Sequence, residues 1–508
     1  MVKFIQTLLM ALLVAAVAYG LYKLDATYLF YIGLLFQIFS ILVAIKLVFN
    51  DSRETPNKIA WIVVVLVLPA LGTIMYLFFG RDPRSRIFTN IQIRETERLL
   101  GSLLSDQERF IDPSEETDSL AKRIENLSRM KSFSGNKVAI LTNGEAKFTS
   151  LFEELEKATD HIHMQYYIFN PDDLGLKVRD KLIEKAKQGI SVRFLYDGWG
   201  SSDLKHGFLQ PMKRAGIEVL AYDPIRSPWI VRTANLRNHR KIVIIDGKVA
   251  FTGGLNVGNE YISKTDDFKN WRDTHLRIEG PSVAELQASF LVDWVFVQDR
   301  EGSSKPFTSK EGKERYFMPD YHEGNEHAQV IWGGPYDSEK VIRDAISNLI
   351  DSAKHSIYIS TPYFVPDEET LAVVRRAALS GIEVKVLIPG KGDSFLSFNA
   401  TNSYRKTLLK AGVRVFNYDN ESFIHNKIII VDNEKAAIGT ANFDIRSFQL
   451  NQELMVFLYD GTASVHKLQQ DFLNDCEQSE EYTMAMENNK SIYTHIKESI
   501  CRMFSPIL

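Results

Sequence analysis

Hydrophobic residues are concentrated at the start of the chain. Residues 4–22, 28–49 and 59–79 are almost wholly apolar, and each stretch has the roughly twenty residues a helix needs to cross a bilayer core of about 30 Å. The pattern predicts three transmembrane helices. Lys46 lies near enough to the end of the second to reach the interface, and Pro69 in the third is tolerable in a membrane helix. Lys3 and the small residues at 16–18 also fit a signal peptide, but two more apolar stretches follow at once, which favours a retained segment. Arg81, Arg84 and Arg86 behind the third stretch place the rest of the chain in the cytoplasm, while Arg53 and Lys58 before it weaken that asymmetry. The expectation is a multi-pass cell-membrane protein whose later part faces the cytoplasm.

From residue 81 to about 130 the pattern is charged with a helical flavour and reads as a connector. Beyond it the chain repeats itself. ATDHIHMQYYIF at 158–169 parallels AKHSIYISTPYF at 353–364, GISVRFL at 189–195 parallels GIEVKVL at 381–387, and AGIEVL at 215–220 parallels AGVRVF at 411–416. Each half reads strand, helix, strand, helix, strand, which is a duplicated α/β architecture. The halves are expected at 131–307 and 328–508, separated by a polar linker at 308–327.

Each half then carries one copy of the same phrase, HRKIVIID at 239–246 and HNKIIIVD at 425–432. Both fit H-x-K-x-x-x-x-D, and in both a glycine follows seven residues after the Asp, opening GGLN at 253–256 and GTAN at 439–442. The β-branched run predicts a strand ending in a turn, with His and Lys at i and i+2 on one side. Imidazole serves as nucleophile or general acid/base, and a lysine point charge suits a phosphate oxygen. The candidate catalytic residues are therefore His239, Lys241, Asp246, His425, Lys427 and Asp432, with the aspartates organising the motif's hydrogen bonds. Asn256 and Asn442, at matched offsets, are expected to contact phosphate, as is Thr440, which faces the position of Gly254. Glu260 and Glu453 are candidates to orient the histidines. One His-Lys pair per half places a single site between the halves.

Composition narrows the chemistry. A net charge of −4 over 508 residues argues against a nucleic-acid binder. Only Cys476 and Cys501 are present, and no Cys/His spacing suggests a zinc site. His161 and His163 stand at i and i+2, but the repeat places Tyr358 opposite His163, so they read as half-buried strand residues in place of metal ligands. Neither a metal nor another cofactor is expected. The stretch holding Arg226, Trp229 and Arg232 before the first motif reads either as a surface loop or as a rim that meets lipid headgroups, and the apolar positions Ile492, Ile496, Ile500 and Met503 or Phe504 predict a C-terminal helix, packed on the core in preference to lying on a membrane surface.

The paired motifs identify a resemblance to the phospholipase D superfamily, and within it to bacterial cardiolipin synthases. It is carried by NHRKIVIIDG at 238–247, GGLNVG at 253–258, Glu260 and Tyr261, WRDTHL at 271–276, STPYFVPD at 360–367, GTANFDIRS at 439–447 and the ending SPIL. The resemblance covers most of the chain after about residue 130, with no departure at the six motif positions. It implies two phospholipase D-type domains with mixed sheets flanked by helices, and phosphatidylglycerol and membrane lipids as partners. It also implies a transfer through a phosphohistidine on His239, with His425 as acid and then base. A phospholipase D hydrolase, or a phosphatidyltransferase with another acceptor alcohol, shares the same motif residues. A nuclease fits the apolar segments and acidity poorly, and an interaction protein with a decayed site fits the intact motifs poorly.

Overall fold

Ile242–Ile245 and Ile428–Val431 are β-branched, apolar on both faces and fully buried, so they form interior strands of a sheet covered on both sides. In the computed structural model the described residues are 25–50, 55–80, 118–223, 236–300, 315–317, 324–335, 337 and 339–505. The expected segment at 4–22, Arg53, Arg81, Arg84, Arg86, most of the connector and linker, residues 506–508 and the stretch with Arg226, Trp229 and Arg232 lie outside them. The described residues fall into two compact units, one holding the apolar N-terminal helices and one holding both repeats.

The first repeat contributes β1 (Ser132–Thr142), β2 (His161–Tyr166), β3 (Ser191–Asp197), β4 (Glu218–Tyr222), β5 (Arg237–Asn238), β6 (Ile242–Ile245), β7 (Val249–Gly253), β8 (Trp271–Arg272) and β9 (Thr274–Glu279). The second contributes β10 (Glu326–Gly333), β11 (Ser356–Ser360), β12 (Phe364–Val365), β13 (Glu383–Ile388), β14 (Arg414–Asn417), β15 (Phe423–Ile424), β16 (Ile428–Val431), β17 (Lys435–Gly439), β18 (Phe443–Asp444), β19 (Asn451–Leu458) and β20 (Glu480–Tyr482). Sixteen of them make one mixed sheet, ordered β20-β14-β13-β11-β16-β17-β19-β10-β1-β9-β7-β6-β2-β3-β4, with β5 joined to β19. The order reads nearly alike from either end because β1 and β10 pair antiparallel at the centre. The duplication therefore yields one continuous α/β body with helices on the sheet.

Three expectations change here. The end of the connector is a core helix, Ser119–Ser128, because Leu120, Ala121 and Ile124 recur at helical spacing and are buried, and Asp118 caps its first N–H groups. Within the linker, Tyr316 is buried and accepts from Arg193 at 2.9 Å, while β10 already begins at Glu326. The C-terminal helix Ile492–Met503 is inverted: Glu498 and Cys501 are buried, whereas Ile492, Ile496, Ile500 and Met503 face outward. Glu498 is drawn inward by Lys490 at 3.0 Å.

His161 and His163 are fully buried, deeper than expected, because the helix Val283–Arg300 covers this face of β2. His163 lies flat on Phe290, with ring centroids 4.6 Å apart, and bonds Gln287 and Arg193. Both rings serve packing.

The N-terminal unit comprises α1 (Ala26–Asn50), α2 (Thr55–Val67) and α3 (Pro69–Phe79). Within α1, Phe30–Phe49 is long and apolar enough to cross a membrane. The stretch 59–79 is a hairpin of two short helices, not one straight helix. Pro69 has no N–H to continue α2, and Leu68 leaves the helical region at φ −122°, ψ 72°. The chain folds back until Trp61 and Tyr76 stack edge to face at 5.7 Å, a pair about 22 Å apart along a straight helix. Gly72 permits the close approach, since a Cβ there would lie 2.2 Å from the Val64 carbonyl oxygen. With 13 and 11 residues, α2 and α3 are roughly 20 and 17 Å long, short of the bilayer core. Ser40, midway along α1, donates to the Pro69 carbonyl at 3.0 Å and meets the Thr73 hydroxyl at 2.8 Å. The tip of the hairpin thus sits level with the middle of the span.

Candidate active site

Each motif histidine is set by backbone pairing with the opposite repeat. β5 runs parallel to β19, and the next N–H, that of His239, donates to the Gln452 carbonyl at 2.9 Å. In the same way β15 runs parallel to β8, and the His425 N–H donates to the Arg272 carbonyl at 2.7 Å. His239 and Lys241 therefore sit in the extended crossing between β5 and β6 instead of on the motif strand itself, and His425 and Lys427 sit in the equivalent crossing before β16. The pull of a partner strand from the other repeat explains the difference.

Behind each crossing the Asp closes a tight turn. Asp246 and Gly247 have φ of 54° and 67°, and Asp432 and Asn433 both have 55°, the paired left-handed residues of a type I′ hairpin turn. Asp246 accepts from the N–H groups of Thr159, Asp160 and His161 and from the Thr159 hydroxyl, at 2.8 to 2.9 Å. Asp432 accepts from the N–H groups of Lys354, His355 and Ser356 at 2.7 to 2.8 Å. Burial alone would raise the Asp246 carboxyl, but these donors hold it below its ordinary value. Each Asp fastens its motif strand to the start of the neighbouring β2 or β11.

Both imidazoles line one cleft of about 610 Å³, with Tyr167, Asn256, Glu260, Trp271, Asn442 and Arg446 among its walls. His239 Nδ1 is 2.9 and 3.0 Å from the two oxygens of Glu453, which belongs to the second repeat. His425 Nδ1 is 2.7 Å from Asp273, which belongs to the first. With Nδ1–H given to a carboxylate, Nε2 is left for the cleft. Tyr167 meets the His239 ring edge to face at 4.8 Å, and Trp271 lies 5.2 Å from His425.

Glu453 was legible as a partner and Glu260 was not one: Glu260 lines the cleft and its carboxyl is raised by burial, but it bonds neither histidine. Asp273 takes that place. The signal lay in the register, because Gly253 pairs with His275 and Gly439 with Met455, so Asp273 and Glu453 each stand two residues before the partner of the motif glycine. Thr440 also moves from its expected role, since its hydroxyl donates to Glu453 at 2.6 Å. At the matching Gly254, any Cβ would come 2.1 Å from Asp273. The two carboxylates thus require different residues at equivalent positions.

Asn256 accepts from the Ile168 N–H at 3.1 Å and donates to the Tyr261 hydroxyl at 3.2 Å, while Asn442 Oδ1 has no hydrogen-bond partner among the described residues. Lys241 and Lys427 each donate to the carbonyl of their own histidine, at 2.6 and 2.7 Å, leaving two ammonium hydrogens apiece.

Burial decides the protonation states. It lowers His239 to about 4 against the pull of Glu453, with Lys241 and Lys427 adding to the fall. For His425 burial and then Lys427 outweigh Asp273, giving about 3. Burial also brings Lys241 to about 7 and Lys427 to about 8. At neutral pH both imidazoles are therefore uncharged, Lys427 is mostly charged and Lys241 about half charged.

Comparison with known proteins gives the family. The family model described as "Cardiolipin synthase, PLD-like domain" matches residues 151–294 and 346–476, and "Phospholipase_D-nuclease N-terminal" matches 38–81. Cardiolipin synthase 1 of Bacillus anthracis is 40% identical over 512 residues, covering 99% of each chain. The cardiolipin synthase of Halalkalibacterium halodurans is 39% identical, covering 94% of this chain and 95% of its own. Among solved structures, phosphatidylserine synthase from Haemophilus influenzae Rd KW20 shares the fold at a TM-score of 0.58 and 15% identity, covering 76% of this chain and 100% of its own. With both repeats matched and near-complete alignment to these relatives, the chain belongs to the bacterial cardiolipin synthase family of the phospholipase D superfamily.

Proposed function

We propose that this cleft transfers a phosphatidyl group from one phosphatidylglycerol to a second, giving cardiolipin and glycerol. The observation that carries the reading is the pair of imidazoles from different repeats facing one cleft, each held through Nδ1 by a carboxylate of the opposite repeat. A bound phosphodiester adds negative charge beside both rings and raises them from their depressed values, so one proton is taken up with the lipid. His239 Nε2 attacks phosphorus while His425, carrying that proton, gives it to the departing glycerol oxygen. His425 then takes the proton of a terminal hydroxyl on the second phosphatidylglycerol. That oxygen attacks the phosphohistidine and releases His239. One phosphodiester replaces another, and no proton is gained or lost over the cycle.

Lys241, Lys427, Asn256 and Asn442 supply the charge and donors for the non-bridging oxygens, the task a metal performs in other phosphoryl-transfer sites. Thr440 acts one step back by holding Glu453. Incubation with labelled phosphatidylglycerol alone should give cardiolipin and glycerol in equal amounts, and a denaturing quench in detergent at neutral to mildly alkaline pH during turnover should leave a phosphatidyl group on the peptide with His239. Phosphatidic acid as the main product would make the protein a hydrolase, and an adduct confined to His425 would reverse the two roles.

The lysines set the pH dependence. Each is charged below its pKa, and burial brings these to about 7 and about 8, so phosphate attraction fades as pH rises through that window. The free enzyme should show an alkaline fall in kcat/KM between about pH 7 and 8, while kcat, which reports the lipid-bound state, should fall at higher pH. A kcat/KM that stays flat through pH 9 would contradict the assignment.

The same reading places the protein in the cell membrane, with α1 as a span and the hairpin α2–α3 entering and leaving by one face. Arg53 and Lys58 then lie on the same side as Arg81, Arg84 and Arg86, and the conflict in the positive-inside pattern disappears. That side is cytoplasmic, and the catalytic repeats follow on it. Single cysteines from Asp25→Cys, Ser52→Cys and Asp82→Cys, probed with an impermeant maleimide in right-side-out membranes, test this. Labelling of the first before permeabilisation and of the other two only after it is expected. Opposite accessibility of positions 52 and 82 would make the hairpin a full span.

A further inference from the structure

The C-terminal helix Ile492–Met503 turns the usual arrangement of a surface helix around. Its polar side is the packed side. Glu498 and Cys501 are buried, and Arg502 lies over the Tyr404 ring at 4.2 Å. Its outer side carries Ile492, Tyr493, Ile496, Ile500, Met503 and the following Phe504, all exposed, with Ile492 and Met503 each at 79%. At 100° per residue these six fall within about 120° of the helix circumference, one continuous apolar stripe. A stripe of this kind left open to water marks a surface made for another phase or another molecule.

The neighbours of the helix say which. It packs on the helix Phe395–Asn402, whose first residue, Phe395, is itself 69% exposed and has the Lys497 ammonium 5.9 Å from its ring centre. Phe395 and Phe398 line a side groove of about 510 Å³ that shares Lys391 and Gly392 with the wall of the catalytic cleft. The apolar surface, the side groove and the cleft are thus consecutive parts of one face. Lys497 flanks the stripe, where a long basic side chain reaches lipid headgroups while its stem covers apolar surface.

We infer that the outward stripe of the C-terminal helix, together with Phe395, docks the catalytic body onto the lipid leaflet and turns the cleft toward its substrate. This rests on the cleft being a site for bilayer lipid. A membrane anchor keeps the body near the bilayer, but it does not orient the cleft; the stripe does. The side groove then opens at the level of the acyl chains, so that a phosphate reaches the imidazoles without its chains crossing water.

The test uses the full chain reconstituted in vesicles of phosphatidylglycerol and phosphatidylcholine. An environment-sensitive dye is placed at Ile496→Cys or Met503→Cys, with unsubstituted protein as the background for the buried Cys476 and Cys501. Blue-shifted emission quenched by lipids spin-labelled near the headgroup is expected. In parallel, the double variant Ile496→Glu with Ile500→Glu should raise the apparent KM for vesicle phosphatidylglycerol by about tenfold, with turnover of a short-chain, monomeric phosphatidylglycerol unchanged. A dye that stays in water overturns the inference, as does a dye shielded only at high protein-to-lipid ratio, which would make a second copy the occupant. Equal losses on both substrates also overturn it. If wild-type protein fails to turn over even the short-chain lipid, the functional reading has failed while the dye still reports on docking.

Discussion

The structure depends on an exchange of support across the pseudo-twofold. β5 leaves its own repeat to pair with β19, β15 leaves its own to pair with β8, and the residue after each crossing strand is a motif histidine. The carboxylates are exchanged too, Glu453 to His239 and Asp273 to His425. Neither repeat therefore contains a finished half-site. The antiparallel seam between β1 and β10 aligns the repeats, and the crossings convert that alignment into placement of two rings about one cleft.

Electrostatics then follow from how dry the crossings are. Four potentially charged groups, Lys241, Lys427, Asp273 and Glu453, are all buried, and removing one partner of such a set leaves a bare buried charge at a cost of about 3–5 kcal/mol. Desolvation exceeds the pull of the carboxylates, so the imidazoles rest uncharged. It also lowers Lys241 to about 7 and Lys427 to about 8, so that near pH 7 the first is about half charged and the second mostly charged. On the proposed mechanism, substrate binding and the arming of His425 as the acid are the same event.

Much of this was legible in the sequence, for reasons that can be named. The repeated H-x-K-x-x-x-x-D phrase fixed the histidines, lysines and aspartates because its spacing is set by a short buried strand and a turn that demands left-handed residues. Partners that depend on cross-strand register were harder. Asp273 follows a loop of different length from the one before Glu453, so no fixed offset from the motif reveals it, and only the pairing of Gly253 with His275 does. Local hydrophobicity also misleads where direction matters. The stretch 59–79 has the composition of a span, yet Pro69 and Gly72 fold it into a hairpin. The C-terminal stripe has core-like spacing, yet the burial of Glu498 and Cys501 turns it outward.

A shared site makes a demand that two separate sites do not. Rates of cardiolipin formation by His239→Ala and by His425→Ala, measured on protein of wild-type thermal stability, test it directly. On the proposed mechanism both histidines act in each step of one reaction, so each variant should lose essentially all product formation. Half of the wild-type rate in either one would mean that each repeat works alone, and would contradict the exchange of strands and carboxylates as the basis of the site.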